Sequence, residues 1–147
     1  ACPDTPVVGF AGDGAFGIAV TELTAIGRKE WPAITMIVFR NYQWGAEKRN
    51  STLWYDDNFV GTELDTDVSY AGIAQACGLQ GVQAFTMDAL TKALATAIED
   101  QMKRGKTTLI EAMINQELGE PFRRDAMKKP VKVAGIDRND MKPQPGA

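Results

Sequence analysis

Val7-Val8-Gly9-Phe10-Ala11-Gly12-Asp13-Gly14-Ala15-Phe16 is the stretch whose reading decides the fold. The short apolar run from Pro6 to Ala11 has the length and composition of a buried strand, and it stops at two glycines flanking an aspartate. Beyond them, apolar residues recur at Phe16, Ala19, Val20, Leu23 and Ile26, the spacing of an amphipathic helix. Gly27 lies near its expected end, and Pro32 follows as a stop. Ala33 to Phe39 is then apolar at nearly every position, which implies burial on both faces, as in a parallel sheet covered by helices. Strand, helix and strand within about 35 residues make a βαβ unit.

The same alternation continues downstream. Residues 40–68 are polar, aromatic and irregular, and are expected to form a long loop. Ser69 is placed to cap a helix carrying Tyr70, Ile73, Ala74 and Cys77 and closed by Gly78. Gly81 to Phe85 and Thr107 to Ile114 read as strands, with an amphipathic helix from Asp88 to Lys103 between them. After Glu120-Pro121 the periodicity vanishes. The expectation is an α/β three-layer domain with a mainly parallel sheet over residues 1–120, followed by an extended basic tail over 121–147.

The chain has 147 residues, enough for one domain of ordinary size. It contains no histidine, which excludes Ser-His-Asp and Cys-His nucleophile systems and His-ligated zinc built from this chain alone. Two thiols, Cys2 and Cys77, are too few for a disulfide scaffold and point to a reducing, cytoplasmic setting. The net charge of −3 offers no bulk attraction to nucleic acid or anionic membrane, and no run approaches the ~20 apolar residues of a membrane span. Ala1-Cys2-Pro3 lacks both an initiator Met and a signal-peptide layout, so the chain reads as cut from a longer one.

Two polar loops, Gly12-Asp13-Gly14 and Arg40-Asn41-Tyr42-Gln43, leave the carboxyl ends of successive strands. Adjacent strands lie ~4.8 Å apart, so Asp13 and Asn41 can converge on one hard cation at the edge where open α/β sheets bind ligands. Glycines let a bulky anion approach the backbone, and the helix after them presents its N–H groups. A carboxylate repels a bare phosphate but attracts one through Mg²⁺, which favours oxygen ligands. Two other readings remain open at this point. Gly12-x-Gly14-x-x-Gly17 also matches a dinucleotide fingerprint, with Arg40 where an NADP 2′-phosphate would be read, and the loop could be structural only.

Gly12-Asp13-Gly14-Ala15-Phe16, Thr21-Glu22-Leu23, Pro32 and Asn41 together resemble the GDG…N motif of thiamine-diphosphate enzymes of the acetolactate-synthase-like group. The resemblance implies Mg²⁺ bound by Asp13, Asn41 and the backbone carbonyl of Gln43, with Gly12, Gly14 and Ala15 beside the diphosphate. The family commonly has Asn-Asn where this chain has Arg40-Asn41, which leaves the role of Arg40 open. The segments from Arg40 to Asn50 and from Asn115 to Pro130, with Val133 to Asp137, are similar to the sulfoacetaldehyde acetyltransferase family. That likeness implies an acyltransferase converting sulfoacetaldehyde and phosphate to acetyl phosphate and sulfite; another lyase or decarboxylase of the same group is the alternative. It further implies a pyrimidine-binding domain of the same enzyme that carries the activating glutamate, and a homo-oligomer of at least two copies. No catalytic residue is expected in this chain, which alone should not turn over substrate.

Several residues invite a role but have a plainer reading. Glu22 suits a structural contact, and Cys77 a small core residue. Arg123, Arg124, Lys128 and Lys129, and Lys48-Arg49, could meet anions or simply lie solvated. Trp44, Trp54, Tyr55 and Phe59 could wall a site or pack under the loop, and Asp56-Asp57 could suggest a second metal.

Overall fold

The computed structural model describes residues 4–28 and 30–117. Cys2 and the basic tail expected over 121–147 lie outside the described residues. The described residues divide into two compact units, one drawn from the stretch ending at Tyr42 and from Asp65–Asn115, the other from Gln43–Leu64 with Gln116 and Glu117.

The first unit is built on four parallel strands, β1 (Val8–Gly12), β2 (Thr35–Arg40), β3 (Gln80–Ala84) and β4 (Thr108–Met113), in the order β1-β2-β4-β3. Around them lie α1 (Asp13–Ile18), α2 (Leu23–Ile26), α4 (Tyr70–Ala76) and α5 (Met87–Arg104), while α3 (Gly45–Trp54) belongs to the second unit. The period of two sorts the strands' side chains into two cores. Val38 and Leu109 pack with Phe16, Leu23, Tyr70 and Ala74 on one face. Ile37, Ile110 and Ala112 pack with Ala84 and Ala97 on the other. Both faces are thus covered by helices, the three-layer arrangement expected from the apolar runs. β1 pairs on one side only, and Phe10 on it is 65% exposed, stacked on Phe39 at 6.1 Å. Among the described residues, β1 and β3 are the two edges of the sheet.

Capping sets the helix ends. Ser69 Oγ accepts the Gly72 N–H and opens α4, as the sequence predicts. Thr86 Oγ1 accepts the Ala89 N–H, which starts α5 one residue ahead of Asp88. Gly105, at φ 61°, closes it in the left-handed conformation. Lys103 and Arg104 lie in its last turn, where the helix end is negative.

Two elements differ from the sequence reading. The helix expected through Ile26 is broken into α1, a 3-10 turn at Val20–Glu22 and α2, in a stretch where Gly17, Ile18, Val20 and Thr21 are all poor helix formers. The long loop contains α3, which the periodicity could not reveal because Gly45–Trp54 carries no apolar stripe. In its own unit, α3 is tied down by a Lys48–Glu63 ion pair and by the Trp44 N–H donating to the Thr62 carbonyl.

Gly81 is required by a close approach. A Cβ there would sit 2.0 Å from the Ala71 carbonyl oxygen, because α4 lies directly on β3. Backbone cannot yield as a flexible side chain can, so Gly81→Ala should lower stability by about 2–3 kcal/mol. Urea unfolding measures this, and a change below about 0.5 kcal/mol would show that α4 can shift freely.

Candidate cofactor and metal site

β1 and β2 are neighbours, in register from Val8↔Thr35 to Gly12↔Phe39, and both loops leave the same sheet edge. The Asp13 carboxylate therefore meets the backbone of the loop that begins at Asn41. The Asp13 carboxylate, in a residue only 1% exposed, is held by four donors. Its Oδ1 accepts the Gly14 N–H at 2.9 Å. Its Oδ2 accepts the backbone N–H groups of Asn41 at 3.1 Å and Tyr42 at 2.7 Å, and Arg40 Nη1 lies 3.3 Å away. Tyr42 reaches its position with φ 59°, a conformation costly for a bulky residue. The turn after β2 is thus bent around the carboxylate.

Arg40, whose role the sequence left open, is the centre of this region. It is 1% exposed, and its Nε lies 3.5 Å from Oε1 of Glu111, itself fully buried on β4. Its Nη2 donates to the carbonyls of Asp65 and Val68. The guanidinium also lies over the rings of Tyr42 and Tyr70, at 4.3 and 5.0 Å. Glu111 Oε2 accepts from Ser69 Oγ, the Ala71 N–H and Gln83 Nε2. Tyr70 donates its hydroxyl to the Asp13 carbonyl at 3.0 Å. Burial pushes the Tyr70 phenol above its ordinary range; Asp13 and Glu111 push the same way, and Arg40 opposes them.

Glu111 and Tyr70 escaped the sequence reading. A signal for Glu111 existed: one charged residue inside the otherwise apolar strand from Thr107 to Ile114 must be paired when buried. Tyr70 was read only as part of an apolar helix face.

The glycines behave differently from expectation. Gly12 precedes α1 at φ −77°, ψ 155°, a conformation open to any residue, and a Cβ on it would meet nothing within 4 Å. Neither backbone strain nor the protein's own packing accounts for the missing side chain at this exposed position. The helix begins at Asp13 rather than after the glycines and spans six residues, so its dipole is a small part of any anion affinity. Gly14 is buried and Ala15 exposed.

Gln43, the third expected ligand, falls in the second unit. There it is 2% exposed, donates through Nε2 to the Gln116 carbonyl at 2.9 Å and bridges Glu63. Lys48 is engaged with Glu63 and lies over Phe59 at 5.3 Å. Lys48 also holds the Glu63 carboxyl below its ordinary range through their hydrogen bond. The Trp54 side chain lies outside the described residues. Among the described residues, no group of three or more His, Cys, Asp or Glu is placed to hold a metal, so Asp56-Asp57 gains no support as a second metal site.

A family model described as "Thiamine pyrophosphate enzyme, C-terminal TPP binding domain" matches residues 1–112. The chain belongs to this family. Within the thiamine pyrophosphate enzymes, it is 83% identical over 145 residues, 99% of its length, to a sulfoacetaldehyde acetyltransferase of Rhodobacter capsulatus. It is 82% identical over 143 residues, 97% of its length, to a protein of the same name from Roseovarius nubinhibens. Each match occupies 24% of the relative, so the chain spans about a quarter of their length. A solved benzoylformate decarboxylase from Polynucleobacter necessarius shares the fold, with a TM-score of 0.65 and 24% identity over 80% of this chain and 21% of that one. The dinucleotide reading fails on Arg40, which is enclosed between Asp13 and Glu111 instead of open to a 2′-phosphate.

Proposed function

We propose that this chain is the diphosphate-binding portion of a thiamine-diphosphate- and Mg²⁺-dependent acyltransferase that converts sulfoacetaldehyde and phosphate to acetyl phosphate and sulfite. The observation that carries the reading is the 83% identity to the Rhodobacter capsulatus relative over 99% of this chain. The geometry supports it through Asp13. A carboxylate pinned by three backbone N–H groups is already oriented, and a cation binding it need not order a mobile side chain.

The residues present fit the group. Asp13, Arg40 and Glu111 carry formal charges that sum to −1 in a buried cluster, which favours an added cation. Gly12 leaves bare backbone where an extra atom would meet nothing of the protein itself, which suits the approach of a diphosphate. In this proposal Asp13 and Asn41 supply side-chain ligands to Mg²⁺, with the Gln43 carbonyl as third on the family resemblance. Gly12, Gly14 and Ala15 lie beside the diphosphate. Carboxylate, amide and carbonyl oxygens are the donors that Mg²⁺ prefers.

When bound, thiamine diphosphate supplies carbanion stabilisation at the substrate carbonyl carbon. This chain's contribution is to hold the metal and fix the cofactor's anionic end. The proposal further takes residues 1–120 as the domain portion and 121–147 as its basic tail. The activating glutamate belongs to a pyrimidine-binding domain of the same enzyme, working as a homo-oligomer in the cytoplasm. Among the described residues no helix is long and apolar enough to cross a membrane.

The test is acetyl-phosphate formation by the full-length protein given sulfoacetaldehyde, phosphate, thiamine diphosphate and Mg²⁺. Turnover lost on chelation and restored by Mg²⁺ is expected. Cofactor binding without acetyl phosphate, but with acetolactate from pyruvate, would move the protein to the lyase alternative.

A further inference from the structure

We infer that Tyr70 is a positioning residue that acts through Asp13, and that Gly17 is the socket that admits the Tyr70 hydroxyl. The inference rests on the cofactor reading above and deepens it. α1 begins at Asp13 and spans only six residues, with no side chain capping its start. A helix that short does not hold its own geometry in water, so its placement depends on tertiary contacts. Asp13, Phe16 and Gly17 stand three and four residues apart and share one face of it. Tyr70, at the start of α4 and 6% exposed, meets all three. Its hydroxyl donates to the Asp13 carbonyl at 3.0 Å, its ring packs edge-on against Phe16 at 5.4 Å, and a Cβ on Gly17 would sit 2.8 Å from its oxygen. Gly17 is the third glycine of the spacing that matches a dinucleotide fingerprint, and this contact gives it a reason that involves no dinucleotide.

The Asp13 side chain is held separately, by the N–H groups of Gly14, Asn41 and Tyr42. Those bonds aim the carboxylate only while the main chain that carries it stays in place. Tyr70 supplies that second fixed point from an element outside both loops. Mg²⁺ demands near-ideal octahedral geometry at short distances, so a small drift of a ligand's backbone is felt in affinity. Removing the hydroxyl takes one donor from the carbonyl of a buried residue and frees the first turn of α1 to shift, while the ring keeps its packing. Gly17→Ala reaches the same end from the opposite side: its Cβ displaces the hydroxyl, which ends a rotatable side chain and yields before backbone does. Helix propensity alone argues the reverse, since alanine is the better helix former. In Tyr70→Phe the nearest remaining ring atom is Cζ, 3.8 Å from that Cβ, an ordinary contact.

The experiment is a double-mutant cycle of Tyr70→Phe and Gly17→Ala in the full-length protein. It is read by calorimetric titration of thiamine diphosphate at saturating Mg²⁺ and by urea unfolding of the apoproteins. Tyr70→Phe should weaken cofactor binding ~10-fold, the lower end for groups behind a metal ligand. Gly17→Ala should weaken it to a similar degree. The double variant should match Tyr70→Phe within about 2-fold, whereas independent sites would combine to a loss of ~100-fold. A merely structural Tyr70 would lower the urea midpoint and leave the affinity of the folded protein unchanged.

Wild-type affinity in folded Tyr70→Phe overturns the inference, as does a double variant whose loss is the product of the two single losses. Unimpaired binding in Gly17→Ala also overturns it, because the socket would then be open to a methyl group. A wild type that binds no thiamine diphosphate in a metal-dependent way overturns the cofactor reading itself, a result that no comparison among the variants can produce.

Discussion

Asp13→Ala should abolish magnesium-dependent retention of thiamine diphosphate in the full-length protein, weakening it by at least ~100-fold, beyond the usual effect of altering a group behind a metal ligand. The change deletes the proposed metal ligand and the acceptor around which the loop after β2 is bent. Three backbone N–H groups and Arg40 Nη1 lose their carboxylate together. Unpaired buried donors cost about 1–3 kcal/mol each, so the variant must be shown to be folded at the assay temperature before binding is read. Asn41→Ala is the informative companion. It keeps the backbone N–H that Asn41 gives to Asp13 and removes only the side-chain amide, so it should weaken binding strongly without disturbing the turn. Cofactor affinity unchanged in both variants would place the metal elsewhere.

The fold was legible where burial imposes a regular pattern. Continuous apolarity from Ala33 to Phe39 announced a strand covered on both faces, and β2 carries the two cores on its alternate residues. Ser69 announced its helix through local capping chemistry. The helix over Gly45–Trp54 was invisible because its support comes from backbone bonds and the Lys48–Glu63 pair, neither of which leaves an apolar period. The nearness of Asp13 to the loop after β2 was legible because a parallel crossover brings both strand ends to one edge. Arg40 was conspicuous as a departure from a motif, but its partner lies 71 positions away on β4. Nothing local distinguishes a buried ion pair of that separation from a charge at a strand end. At Gly12 the backbone angles are ordinary and a Cβ would meet nothing, so conformation leaves no trace of why a glycine stands there.

Glu111→Ala should be the most destabilising single change in the first unit, costing about 3–5 kcal/mol, the range for removing one partner of a buried ion pair. Against a typical domain stability of about 5–15 kcal/mol this is a large fraction. The carboxylate joins four elements: it faces Arg40 from β2, accepts the Ala71 N–H of α4 and the Ser69 cap before it, and accepts Gln83 Nε2 from β3. Alanine leaves the Ala71 N–H and the Arg40 Nε without this acceptor in the buried layer, while Gln83 Nε2 keeps Ser69 Oγ. Among the described residues Arg40 would then have only Asp13 as a charged partner, so the loss should reach the proposed metal site as well as the core. Glu111→Gln separates the two effects: it preserves volume and an acceptor oxygen while deleting the charge, so it should recover a good part of the stability. Urea unfolding of both variants, with the midpoint and slope compared, measures this directly. A loss within about 1 kcal/mol for Glu111→Ala would mean that Arg40 is neutralised adequately by Asp13 and the neighbouring carbonyls, and that the Glu111 contact adds little to the charge balance around Asp13.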